Sequence, residues 1–387
     1  MATLSWSLVL FLALVAVVVA GYPDINTVPP VDSPEVVAWL KELNLAAAPN
    51  ISVNSVNPAT NTPNCPVNQT NTEKNAACHS TCSDCHADDI ISCSAPLTWG
   101  LTFDDGPSEI TPSLLDFLKS KHLKASFFLI GSNVISNTDT IKRQLAEGHH
   151  LASHTWSHTA LTTLTNEQIV AEMKWTEMAV MNATGKRLKY MRPPYGDIDN
   201  RVRFVLKKLG YTPVEWTSDA FDTNDWKIPA NATADDLTLA ATNFTNTMKK
   251  YVASAKTNKG FYALQHDRTI ESLNLTQILI AKKPKTLNVN NIPGCEGGAS
   301  YQVISSNATT TAKHPTGTPS GISAVTPVVA TTTVDVLTSV SPVPAATTTS
   351  VSGSTVVVNN PNDAVSCTRS IGWTLMASVL IAALLSV

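Results

Sequence analysis

Two adjacent carboxylates, Asp104 and Asp105, stand at the end of a short apolar run and are stopped by Gly106-Pro107. The run 99–103 reads as a buried strand, and Gly-Pro turns it into a loop. Neighbouring strand residues face opposite ways, but at a strand's end the backbone turns and both carboxylates can enter one site. Two acids side by side can divide the work, one binding a metal while the other stays free as a base. Downstream, His154-Thr155-Trp156-Ser157-His158 sets two imidazoles four residues apart. They share a face if the segment turns helically, a spacing suited to a common metal. Arg192-Pro193-Pro194-Tyr195-Gly196 is a turn stiffened by two prolines, able to hold an arginine and expose a backbone N–H. Asp219, Asp222 and Asp225-Trp226 follow the run ending at Trp216. Leu264-Gln265-His266-Asp267 ends another run, and a histidine there beside a carboxylate is an acid or base with a tuned pKa.

Five such segments act together only if the fold brings five strand ends to one place. The pattern from 97 to 292 does so by alternating strands and helices. Strands are expected at 125–130, 149–153, 212–216 and 260–264, with a further short one just before Arg192. Helices are expected at 112–122, 138–147, 166–183, 202–209 and 237–253. This alternation predicts an α/β domain, either a parallel sheet or a barrel of βα units. In such folds chemistry collects at the C-terminal ends of the strands, where the polar segments above fall.

The ordered set resembles the five motifs of the polysaccharide deacetylases, the NodB-like domain of carbohydrate esterase family 4. They stand here as Thr102-Phe103-Asp104-Asp105-Gly106-Pro107, His154-Thr155-Trp156-Ser157-His158, Arg192-Pro193-Pro194-Tyr195-Gly196, Asp222-Thr223-Asn224-Asp225-Trp226 and Leu264-Gln265-His266. The surroundings resemble fungal chitin deacetylases of the GPI-anchored, cell-wall mannoprotein type. The resemblance implies a distorted (β/α) barrel and one divalent metal, usually zinc with cobalt as the alternative, held by Asp105, His154 and His158. It makes Asp104 the base, oriented by Arg192, and His266 the general acid, its pKa raised by Asp222. The backbone N–H of Tyr195 would serve the oxyanion, and Trp226 and Leu264 would wall the pocket of the acetyl methyl. The implied partners are chitin or N-acetylglucosamine oligomers and the chitin and glucan of a cell wall. Other readings are deacetylation of peptidoglycan or xylan, and a non-catalytic wall mannoprotein.

The flanks give the expected address. Of 387 residues 15% are charged, and the net charge of -3 provides no basic footprint for nucleic acid. Residues 1–20 read as a signal peptide, with an apolar core from 4 to 20 and small residues at its end. Residues 21–95 form an arm rich in Cys, Asn and Pro, with one helix expected at 34–45, capped by Ser33. The deacetylase domain spans 96–295. Residues 305–360 are mostly Ser, Thr, Val, Pro and Ala with few charges, and are expected to be a disordered, O-glycosylated stalk. Residues 363–387 read as a GPI-attachment propeptide, with Asn362 as the attachment residue, so the chain is expected to be secreted and held to the membrane or wall by a lipid. Asn50, Asn68, Asn182, Asn231, Asn243, Asn274 and Asn307 are glycosylation sequons.

Seven cysteines become six if Cys367 leaves with the propeptide, which suits three disulfides. The segment 78–86 also resembles a zinc knuckle, which the oxidising secretory route argues against. Cys295 lies far enough downstream for one bridge to tie the arm to the end of the domain.

Overall fold

The computed structural model describes residues 21–60, 62–254 and 259–304. The segments expected to be a signal peptide, a stalk with Asn307 and a GPI propeptide with Asn362 lie outside them. The residues from Pro23 to Ile304 belong to one compact unit.

In chain order the elements are α1 (Pro34–Lys41), α2 (Asn71–Ala77), α3 (Ser80–Ser83), β1 (Thr98–Gly100), β2 (Thr102–Asp104), α4 (Thr111–Ser120), β3 (Ser126–Leu129), α5 (Gly131–Ser136) and α6 (Thr138–Ala146). They continue with β4 (His150–Ser153), α7 (Asn166–Thr184), β5 (Tyr190–Met191), α8 (Asn200–Lys208), β6 (Thr212–Pro213), α9 (Ala234–Ser254), β7 (Phe261–Tyr262), α10 (Ile270–Lys282), β8 (Asn288–Asn290) and α11 (Ile292–Glu296). All strand pairs are parallel. One sheet runs β2-β3-β4-β5-β6 and a second runs β7-β1-β8.

The run 99–103 is therefore not one strand. At Leu101 the chain passes from one sheet to the other: its N–H donates to Asn290 and its carbonyl accepts from Ser126. Two bridges beyond the named strands, Asp104 with His266 and Asp222 with Leu264, carry the segment after β7 across to β2 and to the loop after β6. These links close the five-stranded ribbon into a distorted barrel of the NodB-like type. The interior is apolar and continuous, with Phe103, Phe127, Phe128, Leu151, Met191 and Val214 buried. That is how parallel strands covered on both faces read in sequence.

Helix ends follow local chemistry. Thr165 caps α7 in a box with Gln168, and Gly185 ends it at a φ of 68°. Ser33 caps α1, with Pro34 in its first turn, but the helix stops at Lys41 rather than at 45. The arm is less extended than expected, since α2 and α3 also form in it. Three disulfides, Cys65–Cys82, Cys78–Cys85 and Cys93–Cys295, use all six cysteines of the described residues. The thiols of 78–85 are thus spent in bridges, not on zinc, and the last bridge ties the arm to α11. Among the sequons Asn50, Asn68, Asn182, Asn231 and Asn243 are exposed and Asn274 is half-buried. No described helix is long and apolar enough to cross a membrane.

Candidate metal centre

Asp105 sits just past the end of β2 in a left-handed conformation (φ 74°), which swings its carboxylate away from the strand direction of Asp104. His154 follows β4 directly. His158 reaches the same place by a loop rather than by the helical turn expected from its spacing. Thr155 (φ 66°) and His158 (φ 60°) are both left-handed, and the two imidazole rings end 4.9 Å apart. Non-glycine residues in this region carry backbone strain and cluster at functional sites. Tyr195 (φ 61°) adds a fourth, and its ring lies edge-on to that of His158 at 4.8 Å.

The ligand loop is held from below by a residue that sequence reading passed over. Glu172 of α7 is fully buried and accepts hydrogen bonds from the N–H groups of Trp156 (2.7 Å) and Ser157 (2.9 Å) and from the Ser157 hydroxyl (2.5 Å). Burial pushes its carboxyl up to about 7. Its signal in the sequence was a charged residue on the apolar face made by Ile169, Met173 and Thr176.

The three residues Asp105, His154 and His158 are buried, and each offers one ligand atom within 4.8 Å of the others. Asp105 Oδ1 lies 3.3 Å from His154 Nε2 and 3.2 Å from His158 Nε2. It is buried with no hydrogen-bond partner. His154 Nδ1 lies 2.7 Å from the carbonyl of Arg192, so the ring proton is on Nδ1 and the lone pair of Nε2 faces the carboxylate. Two imidazole Nε2 atoms facing one buried carboxylate oxygen form a group that could hold a metal ion. The donor set of one carboxylate and two imidazoles suits zinc, and three protein ligands leave a position open. Burial pushes the Asp105 carboxyl up, but His158 and His154 outweigh it and hold it well below the usual range. Arg268 donates to the other oxygen, Oδ2, at 3.3 Å.

Asp104, the neighbour outside this cluster, pairs with Arg192 at 2.8 Å, and both are buried. The guanidinium is clamped. Its Nε donates to the Val214 carbonyl, its Nη1 also reaches Thr102 Oγ1, and its Cζ lies 4.2 Å over the ring of Phe128.

His266 is brought beside Asp104 by their backbone bridge. The partner expected for it was Asp222; the structure places Asp225 there instead. Asp225 accepts from the His266 N–H and from Nδ1, each at 2.7 Å. Burial alone would lower the His266 pKa, but Asp225 outweighs it and raises it to about 10. Asp222 turns into its own loop, where it accepts from Asn224 N–H (2.7 Å) and Trp226 Nε1 (3.2 Å).

A cleft of about 180 Å3 opens onto Asp105 and His158 and is otherwise lined by Asn26, Ser108, Ile130, Asn133 and Arg268. Tyr195, Trp226 and Leu264 do not line this cleft. Tyr195 adjoins it through His158, while Trp226 and Leu264 gather at Asp222.

Residues 92–214, which contain the first three motifs, match the polysaccharide deacetylase family. The chain belongs to that family. Its relatives include chitin deacetylase 1 of Cryptococcus neoformans var. grubii, 36% identical over 76% of this chain and 63% of the relative. The chitin deacetylase of Amylomyces rouxii is 36% identical over 65% of this chain and 60% of the relative. The chain thus spans less than two thirds of the length of these curated relatives. The solved chitin deacetylase of Colletotrichum lindemuthianum aligns with 55% of this chain and 92% of its own, at 33% identity and a TM-score of 0.49. In this polysaccharide deacetylase domain Asp104, Asp105, His154, His158, Arg192 and His266 are all buried at neighbouring strand ends, with Asp225 rather than Asp222 on His266.

Proposed function

We propose that this protein hydrolyses the N-acetyl groups of N-acetylglucosamine residues in chitin, giving chitosan and acetate. The observation that carries the proposal is the division of labour between the two aspartates: Asp105 faces His154 and His158, while Asp104 is kept apart by Arg192. A divalent metal, zinc by its donor set, held by Asp105, His154 and His158, would polarise the acetamide carbonyl and acidify a water.

The chain's own residues do the rest. Asp104 takes the proton of the attacking water. The N–H of Tyr195 offers a hydrogen bond to the oxygen that becomes negative as the carbonyl carbon turns tetrahedral. His266, kept protonated by Asp225, gives its proton to the nitrogen as the C–N bond breaks, releasing the amine and acetate. Filled acid, base and ligand positions favour catalysis over a non-catalytic wall protein. The chitin deacetylases among the relatives favour chitin over peptidoglycan or xylan.

The setting we propose is the cell surface, reached through the leader 1–20 and held by a GPI lipid at Asn362. Three disulfides in the described residues suit that oxidising route.

The test is acetate release from N-acetylglucosamine oligomers after chelation and again after zinc. Activity lost and then restored is expected. Asp104→Asn should cut turnover by about 10²–10⁴-fold while still binding zinc. Normal turnover by that variant would remove Asp104 from the role of base. Zinc-bound, folded protein that releases no acetate from any oligomer would sink the chitin reading.

A further inference from the structure

The cleft that opens onto Asp105 and His158 has one wall from outside the barrel. Asn26 belongs to the N-terminal arm, about 80 residues from the nearest catalytic motif in sequence, yet it lines the same cavity as Asp105 and His158. The arm segment is fixed there. Asp24 O accepts from Thr27 Oγ1 (3.1 Å), closing a tight turn, and from Trp156 Nε1 (3.0 Å). Trp156 is fully buried and lies between His154 and His158 in the ligand loop. A second tie lies about a dozen residues on. Trp39 of α1 meets Trp175 of α7 edge-on at 5.3 Å, and Trp175 lies 6.4 Å from Trp156. Indoles thus connect the arm's helix to the ligand loop and set the position of residues 23–27.

At about 180 Å3 the cleft has room for about six waters at ~30 Å3 each. That suits an acetamide and part of a ring, so a sugar chain must continue over the rim. Asn26 is exposed at that rim, with a donor and an acceptor on one short side chain. Ser132 Oγ donates a long hydrogen bond to its Oδ1 at 3.5 Å, which engages the acceptor side of the amide and not its N–H groups.

We infer that the arm is part of the substrate site: residues 24–27 form the cleft rim, and Asn26 hydrogen-bonds a pyranose hydroxyl or amide of the bound oligosaccharide. This rests on the oligosaccharide reading above and adds a specificity-determining residue to it. The simpler account is that Asn26 is present because its φ of 56° favours asparagine in a turn.

Asn26→Gly separates the two accounts, since glycine keeps the backbone free to adopt that φ and removes only the amide. Oligosaccharide binding is read by tryptophan fluorescence on chelator-treated full-length protein, and acetate release on zinc-loaded protein. N-acetylglucosamine oligomers of two to six residues serve as the probe. The inference expects Asn26→Gly to weaken binding and raise KM about 5–10-fold for the longer oligomers, with kcat and melting temperature unchanged. Asn26→Asp, which keeps the acceptor, should lie between the two. Equal Kd and KM for wild type and Asn26→Gly at every length would overturn the rim contact and leave the deacetylase reading standing. Binding without acetate release would sink the deacetylase reading while the Kd comparison still decides the rim. Absence of any binding by the wild-type protein would overturn both.

Discussion

Asp225 grips His266 twice, one carboxylate oxygen on its backbone N–H and the other on its ring nitrogen, both at 2.7 Å. The first contact fixes where the residue stands and the second fixes its tautomer and charge. With the pKa raised to about 10, His266 is a protonated donor below that pH and loses the proton as pH rises through it. Asp225→Asn removes the cause of the elevation, so the alkaline limb of the acetate-release profile should move to lower pH while the acid limb stays. Asp222→Asn should leave the alkaline limb where it is. An alkaline limb unmoved by Asp225→Asn, measured on kcat over a pH series, would break the link between that carboxylate and the general acid.

Metal binding should register in stability as well as in turnover. Asp105 Oδ1 and the two imidazoles are arranged in the fold, so a cation that binds the native chain and not the unfolded one stabilises it. At free zinc about 100 times its Kd the gain is about 2.7 kcal/mol. Melting temperature should therefore rise with zinc and fall back on chelation. His158→Ala should flatten that response. A full zinc response in His158→Ala would remove His158 from the ligand set.

Much of this site could be read from residue types and order, because parallel βα folds place chemistry at strand ends and each motif marks one such end. What could not be read was decided by loop geometry. Asp219, Asp222 and Asp225 are spaced alike after the same strand. They separate only because Asp222 satisfies Asn224 N–H and Trp226, and Asn224 then turns left-handed (φ 55°) ahead of Asp225. The spacing of His154 and His158 suggested a helix, yet two left-handed residues do the same work in a loop. The strand 99–103 looked continuous because both halves are apolar; only pairing with Asn290 on one side and Ser126 on the other reveals the break at Leu101. Asn26 carried no signal at all, since its role depends on where the arm docks.

Glu172 offers a test of how far the ligand loop depends on what lies beneath it. Its three accepted hydrogen bonds hold Trp156 and Ser157 between the two histidines. Removing such a support typically costs about 10–100-fold in metal affinity or activity. Glu172→Ala should weaken zinc binding in that range, as measured by competition with a chromogenic chelator. Unchanged zinc affinity would show that the loop holds its shape unaided.

The bridge between Cys93 and Cys295 closes a span of 202 residues around the whole barrel. In the chain-entropy account a loop of that length is worth about 5 kcal/mol through the unfolded state. Cys93→Ser with Cys295→Ser should lower unfolding free energy by up to that amount. The zinc response should survive in whatever fraction remains folded, because neither sulfur touches the site. A loss of zinc binding ahead of global unfolding would tie the bridge to the site directly.

Arg192 and Asp104 are both buried, and the arginine is further held by Thr102, Val214 and the face of Phe128. A buried pair is costly to break from one side, because the remaining charge has no water to turn to. Arg192→Met should destabilise the protein by about 3–5 kcal/mol. If that cost is the stranded carboxylate, the same substitution should cost clearly less where Asp104 is already Asn, since a neutral amide leaves no charge unpaired. The two single variants and the double variant, compared by denaturant unfolding, give the coupling directly. Equal costs in the two backgrounds would mean that Arg192 supports the fold through Thr102, Val214 and Phe128 rather than through Asp104. The pairing that sets Asp104 apart from the metal ligands would then contribute geometry to the site and nothing to its stability.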